Sequence, residues 1–214
     1  MVKILELKKA LSDFLEKELA LSGFRLSQQS FYRKASVCEQ IIHIAYIKRK
    51  YEVEVKANVD IRHNELEQLY NILLDESPNT PTATVGAEFG KLLGMKTSMV
   101  WSVKDHFDVP AVGKAILTTF WEVGQPFFEN YGSLEKIFDI LIADDLPIQS
   151  YCPIPHIRAK KALLALYLLG LYSNYEDLVN AKIMYLTSIN NPYVTDFLNF
   201  ADKLKEKIRT RPLP

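Results

Sequence analysis

The chain has 214 residues, 48% hydrophobic and 24% charged, which is enough apolar mass for one large domain or two small ones. Its 26 Lys and Arg equal its 26 Asp and Glu, so it lacks the cation surplus that non-specific duplex binding needs, although a local basic patch stays open. Cys38 and Cys152 lie far apart with no C-x-x-C spacing, which argues against a disulfide framework or structural zinc and for two buried, reduced thiols.

The opening stretch MVKILELKKALSDFLEKE carries charges throughout and has neither a secretory apolar core nor a cleavage site, so a cytoplasmic protein is expected. Within it Ile4, Leu7, Leu11, Phe14, Leu15 and Leu19 recur at helical spacing, and Gly23 supplies a stop. Phe31-Tyr32-Arg33 is short and aromatic, and Cys38 to Tyr51 is β-branched and aromatic. From Glu52 to Ile61 polar and apolar residues alternate strictly, the pattern of a strand with one buried and one wetter face. Short connections between such strands favour an antiparallel meander.

A helix is expected from Asn64 to Leu74, followed by turn chemistry from Asp75 to Pro81. Thr82 to Phe89 and Thr97 to Val103 read as two further strands around a Gly90 to Gly94 bend. Beyond Asp105 the texture is helical, with starts suggested at Asp108 with Pro110 and at Ser133. After Pro153 and Pro155 a buried helix is expected from His156 to Tyr172, since the apolar run Ala162 to Tyr172 is about half of a membrane span. Asn174 with Asp177 resembles a capping box, and Asn191-Pro192 reads as a helix start with Pro first. Leu168 to Leu178 resembles a tetratricopeptide turn, but no second copy follows at that period, so a helical hairpin is expected. The expected fold is α+β: an amino-terminal helix plus a mostly antiparallel sheet over 1–104, then an all-helical domain over 105–214.

Glu54-Val-Lys56 raises the question of a nuclease. Metal-dependent nucleases of the restriction type place Glu-x-Lys on a strand, where carboxylates ligate Mg²⁺ and the Lys orients the attacking water. Both side chains share a face here, yet the acidic partner has to be Glu39, because no Asp lies between Phe14 and Glu54. An alternating strand face generates Glu-x-Lys by chance, so a solvated face with cross-strand charge pairs is the stronger reading. His43, His63, His106 and His156 never form a helical metal pair. Cys152 and His156 are four apart across Pro153 and Pro155, an awkward nucleophilic pair. Asp144-Asp145 reads as an exposed acidic helix end, and no phosphate-loop glycine pattern occurs. No cofactor and no metal is expected.

The Gly23-Phe24, Phe31-Tyr32-Arg33 and Asn58 features, over residues 3 to about 75, resemble a bacterial family catalogued as a domain of unknown function. That family is similar in texture to small α+β proteins that bind other proteins, including immunity-type proteins of toxin systems. The preferred reading is a non-catalytic cytoplasmic protein-binding module, and the polar, charge-alternating strand face makes Glu52, Glu54, Lys56 and Asn58 the expected contact row, in a groove between the two halves. Another protein is the expected partner, with membrane and nucleic acid disfavoured. The alternative is a divergent Mg²⁺-dependent hydrolase using Glu39, Glu54 and Lys56.

Overall fold

The computed structural model describes residues 4–78, 80–145 and 148–210. Residues 1–3 of the opening stretch and Asn79 of the turn stretch lie outside them. In chain order the elements begin with α1 (Ile4–Ala20), β1 (Arg25–Ser27), β2 (Ser30–Ala35), β3 (Cys38–Lys48) and β4 (Val53–His63). Then come α2 (Asn64–Leu73), β5 (Val85–Glu88), α3 (Phe89–Leu92) and β6 (Trp101–Val103). The helices α4 (Val109–Thr119) and α5 (Gln125–Tyr131) are joined by a π turn (Phe120–Gly124), and α6 (Leu134–Ile142) follows. A 3₁₀ turn (Ile148–Tyr151) precedes α7 (Pro155–Leu168), a second one (Tyr172–Asn174) precedes α8 (Tyr175–Ser188), and α9 (Val194–Arg209) closes the described chain. The fold is α+β, with an amino-terminal helix, a mostly antiparallel six-stranded sheet and a helical carboxy-terminal half. Among the described residues no helix is long and apolar enough to cross a membrane.

The sheet runs β1-β2-β3-β4-β5, with β6 also paired to β4. Period-two alternation gives β4 its two faces: Val53, Val55, Ala57, Val59 and Ile61 are buried, while Glu52, Glu54, Lys56, Asn58 and Asp60 are half-buried on the other side. The Arg49 N–H donates to the Glu52 carbonyl and closes the β3–β4 hairpin. Followed up the two strands, that register sets Ile47 opposite Glu54 and His43 opposite Asn58.

The chain divides into two compact units, each built from two separate segments. The first comprises 1–61 and 86–130. Its core joins Leu7, Leu11, Leu15 and Leu19 of α1 to the inner faces of the strands and to Phe120, Phe127 and Phe128. α1 and α4 approach so closely that a Cβ on Gly113 would collide with the Phe14 ring. The π turn has a covalent cause: Pro126 has no N–H to offer the preceding turn, and the Gln125 N–H reaches back to Phe120 O instead. The 104/105 change of texture therefore falls inside this unit, because α4 packs on α1 and stays with the sheet.

The second unit comprises 62–85 and 131–214. Its core is α7, whose Ala159 and Ala162 to Leu166 are buried together with Arg158, Lys160 and Lys161. α7 and α8 form the expected hairpin. Three local expectations change. Thr82 to Phe89 and Thr97 to Val103 shorten to β5 and β6, because Phe89 to Leu92 coil into α3 under the Glu88 cap. Asn174 places its side chain against Ser173 rather than capping α8. Asn191 accepts the Tyr193 N–H, so α9 starts at Val194, two residues after Pro192.

Candidate functional site

The predicted contact row sits on the outer face of β4, where Glu52, Glu54 and Asn58 already have side-chain partners. Arg49 donates to Glu54 at 2.8 Å, and this bond, with the Arg49 and Lys56 charges, holds the Glu54 carboxyl below its ordinary range. The Ser102 hydroxyl on β6 donates to Glu52. The Asn58 amide lies 3.5 Å from Asp60, whose carboxyl burial raises to about 6, with Asn58 opposing. The Asp60 carboxylate packs on Gly86 of β5, where a Cβ would overlap it. His43, opposite Asn58, shares a 2.8 Å hydrogen bond with Ser30.

Glu39 and Glu54 are not brought together. Glu39 faces Lys34 on β2. Glu54 is opposite Ile47, which lies eight positions up β3 from Glu39, about 27 Å at roughly 3.4 Å per residue. Carboxylates that bridge one cation lie within about 5 Å of each other. Lys56 shares a face with Glu54, while Glu39 stands toward the far end of the hairpin. Among the described residues no group of three or more His, Cys, Asp or Glu is arranged to hold a metal.

The structure assembles a different concentration of chemistry where the β3–β4 turn meets β6. The pairing of Val53 with Val103 and Glu54 with Ser102 places Lys104 beside Glu52 at this end of the sheet. Lys48, Arg49, Lys50 and Lys104 rim a groove of about 690 Å³, and Ile4, Leu7 and Val53 supply its apolar wall. Tyr51, also lining it, is 76% exposed with Lys50 Nζ 4.9 Å from its ring centre. Beyond Lys104, Phe107 is 92% exposed. That phenylalanine is held on a tied turn: its N–H donates to Asp105 Oδ1 at 2.8 Å, while Lys104 and Asp105 N–H groups donate to Asp108 Oδ2. Asp108 thus braces the loop before α4 instead of capping it. Sequence reading passed over Phe107 and Lys104; the available signal was a lone aromatic between two loop aspartates.

The other candidates resolve into structural roles. Asp144 accepts from both Lys182 (2.8 Å) and Arg158 (3.3 Å), so it is a shared counter-ion for two buried cations rather than free surface. Burial pushes the Cys152 thiol up, against a thiolate role, and His156 stacks on Tyr193 at 4.2 Å. His63 is the cap of α2, its Nδ1 accepting the Leu66 N–H. Compared with family models, curated proteins and solved structures, the chain matches none.

Proposed function

We propose that the protein is a non-catalytic cytoplasmic protein-binding module, of immunity or regulatory type, whose contact surface is the β3–β4 turn end of the sheet. The observation that carries this reading is Phe107, almost wholly in water on a turn fixed by three hydrogen bonds from backbone N–H groups to the Asp105 and Asp108 carboxylates. An exposed Phe gains about 2 kcal/mol when buried by a partner, and a pre-ordered turn loses little further entropy in the process. Tyr51 is a second aromatic anchor, and aromatic residues with Arg dominate interface hot spots. Glu52, Glu54, Lys56 and Asn58 continue from this end along the outer face of β4 as a polar rim that gives register. The bond of Glu54 to Arg49 and that of Glu52 to Ser102 keep these two carboxylates oriented.

The experiment is affinity capture from the native host with wild type, Tyr51→Ala/Phe107→Ala and Glu54→Lys/Lys56→Glu, each checked for an unchanged melting temperature. Loss of about tenfold or more of one reproducible partner in the aromatic double variant is expected. The charge-reversed pair should weaken it further from the anchor. Equal recovery by the aromatic variant and wild type removes this end of the sheet as the contact surface.

A further inference from the structure

We infer that the groove at this end receives an acidic, apolar-bearing peptide segment of the partner, an inference that rests on the protein-binding reading above. The chain is neutral as a whole, yet Lys48, Arg49, Lys50 and Lys104 converge on one groove. Arg49 is matched by Glu54; Lys48, Lys50 and Lys104 have no carboxylate at ion-pair distance among the described residues. Three cations are therefore left around a concavity whose wall is Ile4, Leu7 and Val53. A wall of that kind desolvates aliphatic or aromatic side chains, and cations around it select carboxylates beside them. About 690 Å³ lies within the roughly 300–1,000 Å³ of ligand clefts, room for a few consecutive side chains rather than a single ion.

A single-stranded nucleic acid also combines cations with aromatics, and the details favour the peptide. Glu52 lines the same groove, Glu54 is its neighbour on the strand, and Asp105 and Asp108 follow Lys104. Those carboxylates would repel a continuous phosphate backbone but leave room for isolated acidic side chains. Apart from Tyr51 the apolar lining of the groove is aliphatic, whereas bases stack on successive aromatic platforms.

The test is selection of a random peptide library, about twelve residues long, on the full chain, followed by anisotropy with the labelled consensus peptide. The expected consensus carries Asp or Glu next to Leu, Ile or Phe. Its affinity should fall about tenfold or more in Lys50→Glu/Lys104→Glu and weaken as salt rises. Lys17→Glu, an exposed cation on α1, should leave it unchanged. Peptides without acidic residues that still require Tyr51 and Phe107 would overturn the acidic class and leave the protein-binding surface standing. Peptides indifferent to Tyr51, Phe107 and the lysines would remove both, and the absence of any consensus would sink the inference. Displacement of the bound peptide by oligo-dT at comparable affinity would reassign the groove to single-stranded nucleic acid.

Discussion

At the scale of single residues, what the sequence presents as a motif is in space a packing unit. Gly23 turns at φ +83° beside the Arg33 stem, and the Arg33 guanidinium covers the Phe24 ring at 4.3 Å. The same guanidinium donates to Gln40, Ser22 O and Gln125, so one side chain ties β2 and its neighbour to the end of α1 and to α5. Gly-Phe and Phe-Tyr-Arg are thus tied by the demands of one half-buried cation and its aromatic cover. Asp60 is the opposite case, a carboxylate held where its charge is disfavoured. Burial lifts its pKa to about 6, against about 4 for an unfolded aspartate. The folded state then binds the proton more tightly, so this residue makes stability rise as pH falls from about 7 toward about 4. Asp60→Asn should add about 2 kcal/mol at pH 7 and flatten that part of the profile. Urea titrations at pH 4, 5.5 and 7 measure it; a variant that is less stable at every pH would show that the carboxylate is needed by its neighbours.

At the scale of elements, periodicity was the reliable signal and termini were not. Strict alternation in Glu52–Ile61 translates directly into the two faces of β4, because a strand's side chains have no other way to point. Helix starts depend on where one short polar side chain turns, and neighbours compete for it. Ser133 accepts the Lys136 N–H as its position suggests, while Asn174 and Asn191 find other partners. The cap of α2 is His63, a residue type no capping rule points to, supplied because β4 runs straight into the helix. Burial lowers the His63 pKa, the nearby carboxylates of Glu65, Glu67 and Glu135 opposing it. Its neutral form is favoured on folding, so the contribution is complete above about pH 6.5 and fades as pH drops through the lower folded value. His63→Ala should cost about 1 kcal/mol at pH 7.5, and His63→Asn should keep most of the cap while removing the acid-side loss. Melting temperatures at pH 7.5 and 5.5 distinguish the two; an alanine variant as stable as wild type at pH 7.5 would mean the cap bond contributes nothing.

At the scale of the whole molecule, the polar row of β4 was legible because it is one strand, whereas the groove and Phe107 were not, because they join the β3–β4 turn to a loop that lies beyond β4, α2, β5, α3 and β6 in the chain. The same holds for the two units, each assembled from segments that are distant in sequence. In the second unit the joint between segments 62–85 and 131–214 is ionic. Lys161 of α7 lies 2.7 Å from the fully buried Glu67 of α2 and also donates to Ala83 O, while Thr82 donates to the other Glu67 oxygen. Arg62 fixes the same loop by donating to Thr80 O and Thr82 O. Hydropathy alone reads α7 as an apolar core helix; its buried cations declare themselves only once their partners from other segments are in place. Removing one member of such a pair leaves an uncompensated charge with no water, so Lys161→Met should destabilise the second unit by about 3–5 kcal/mol. Glu67→Gln with Lys161→Met should recover most of that loss, since the stranded charge is gone and the amide keeps a hydrogen bond to Thr82 within reach. Helical circular dichroism reports both units, while the two tryptophans, Trp101 and Trp121, report the first alone. In Lys161→Met the helical unfolding midpoint should therefore fall in urea, with the tryptophan midpoint as the internal comparison. A single variant as stable as wild type, or a double variant no better than the single, would show that the Glu67–Lys161 pair does not hold the two segments together.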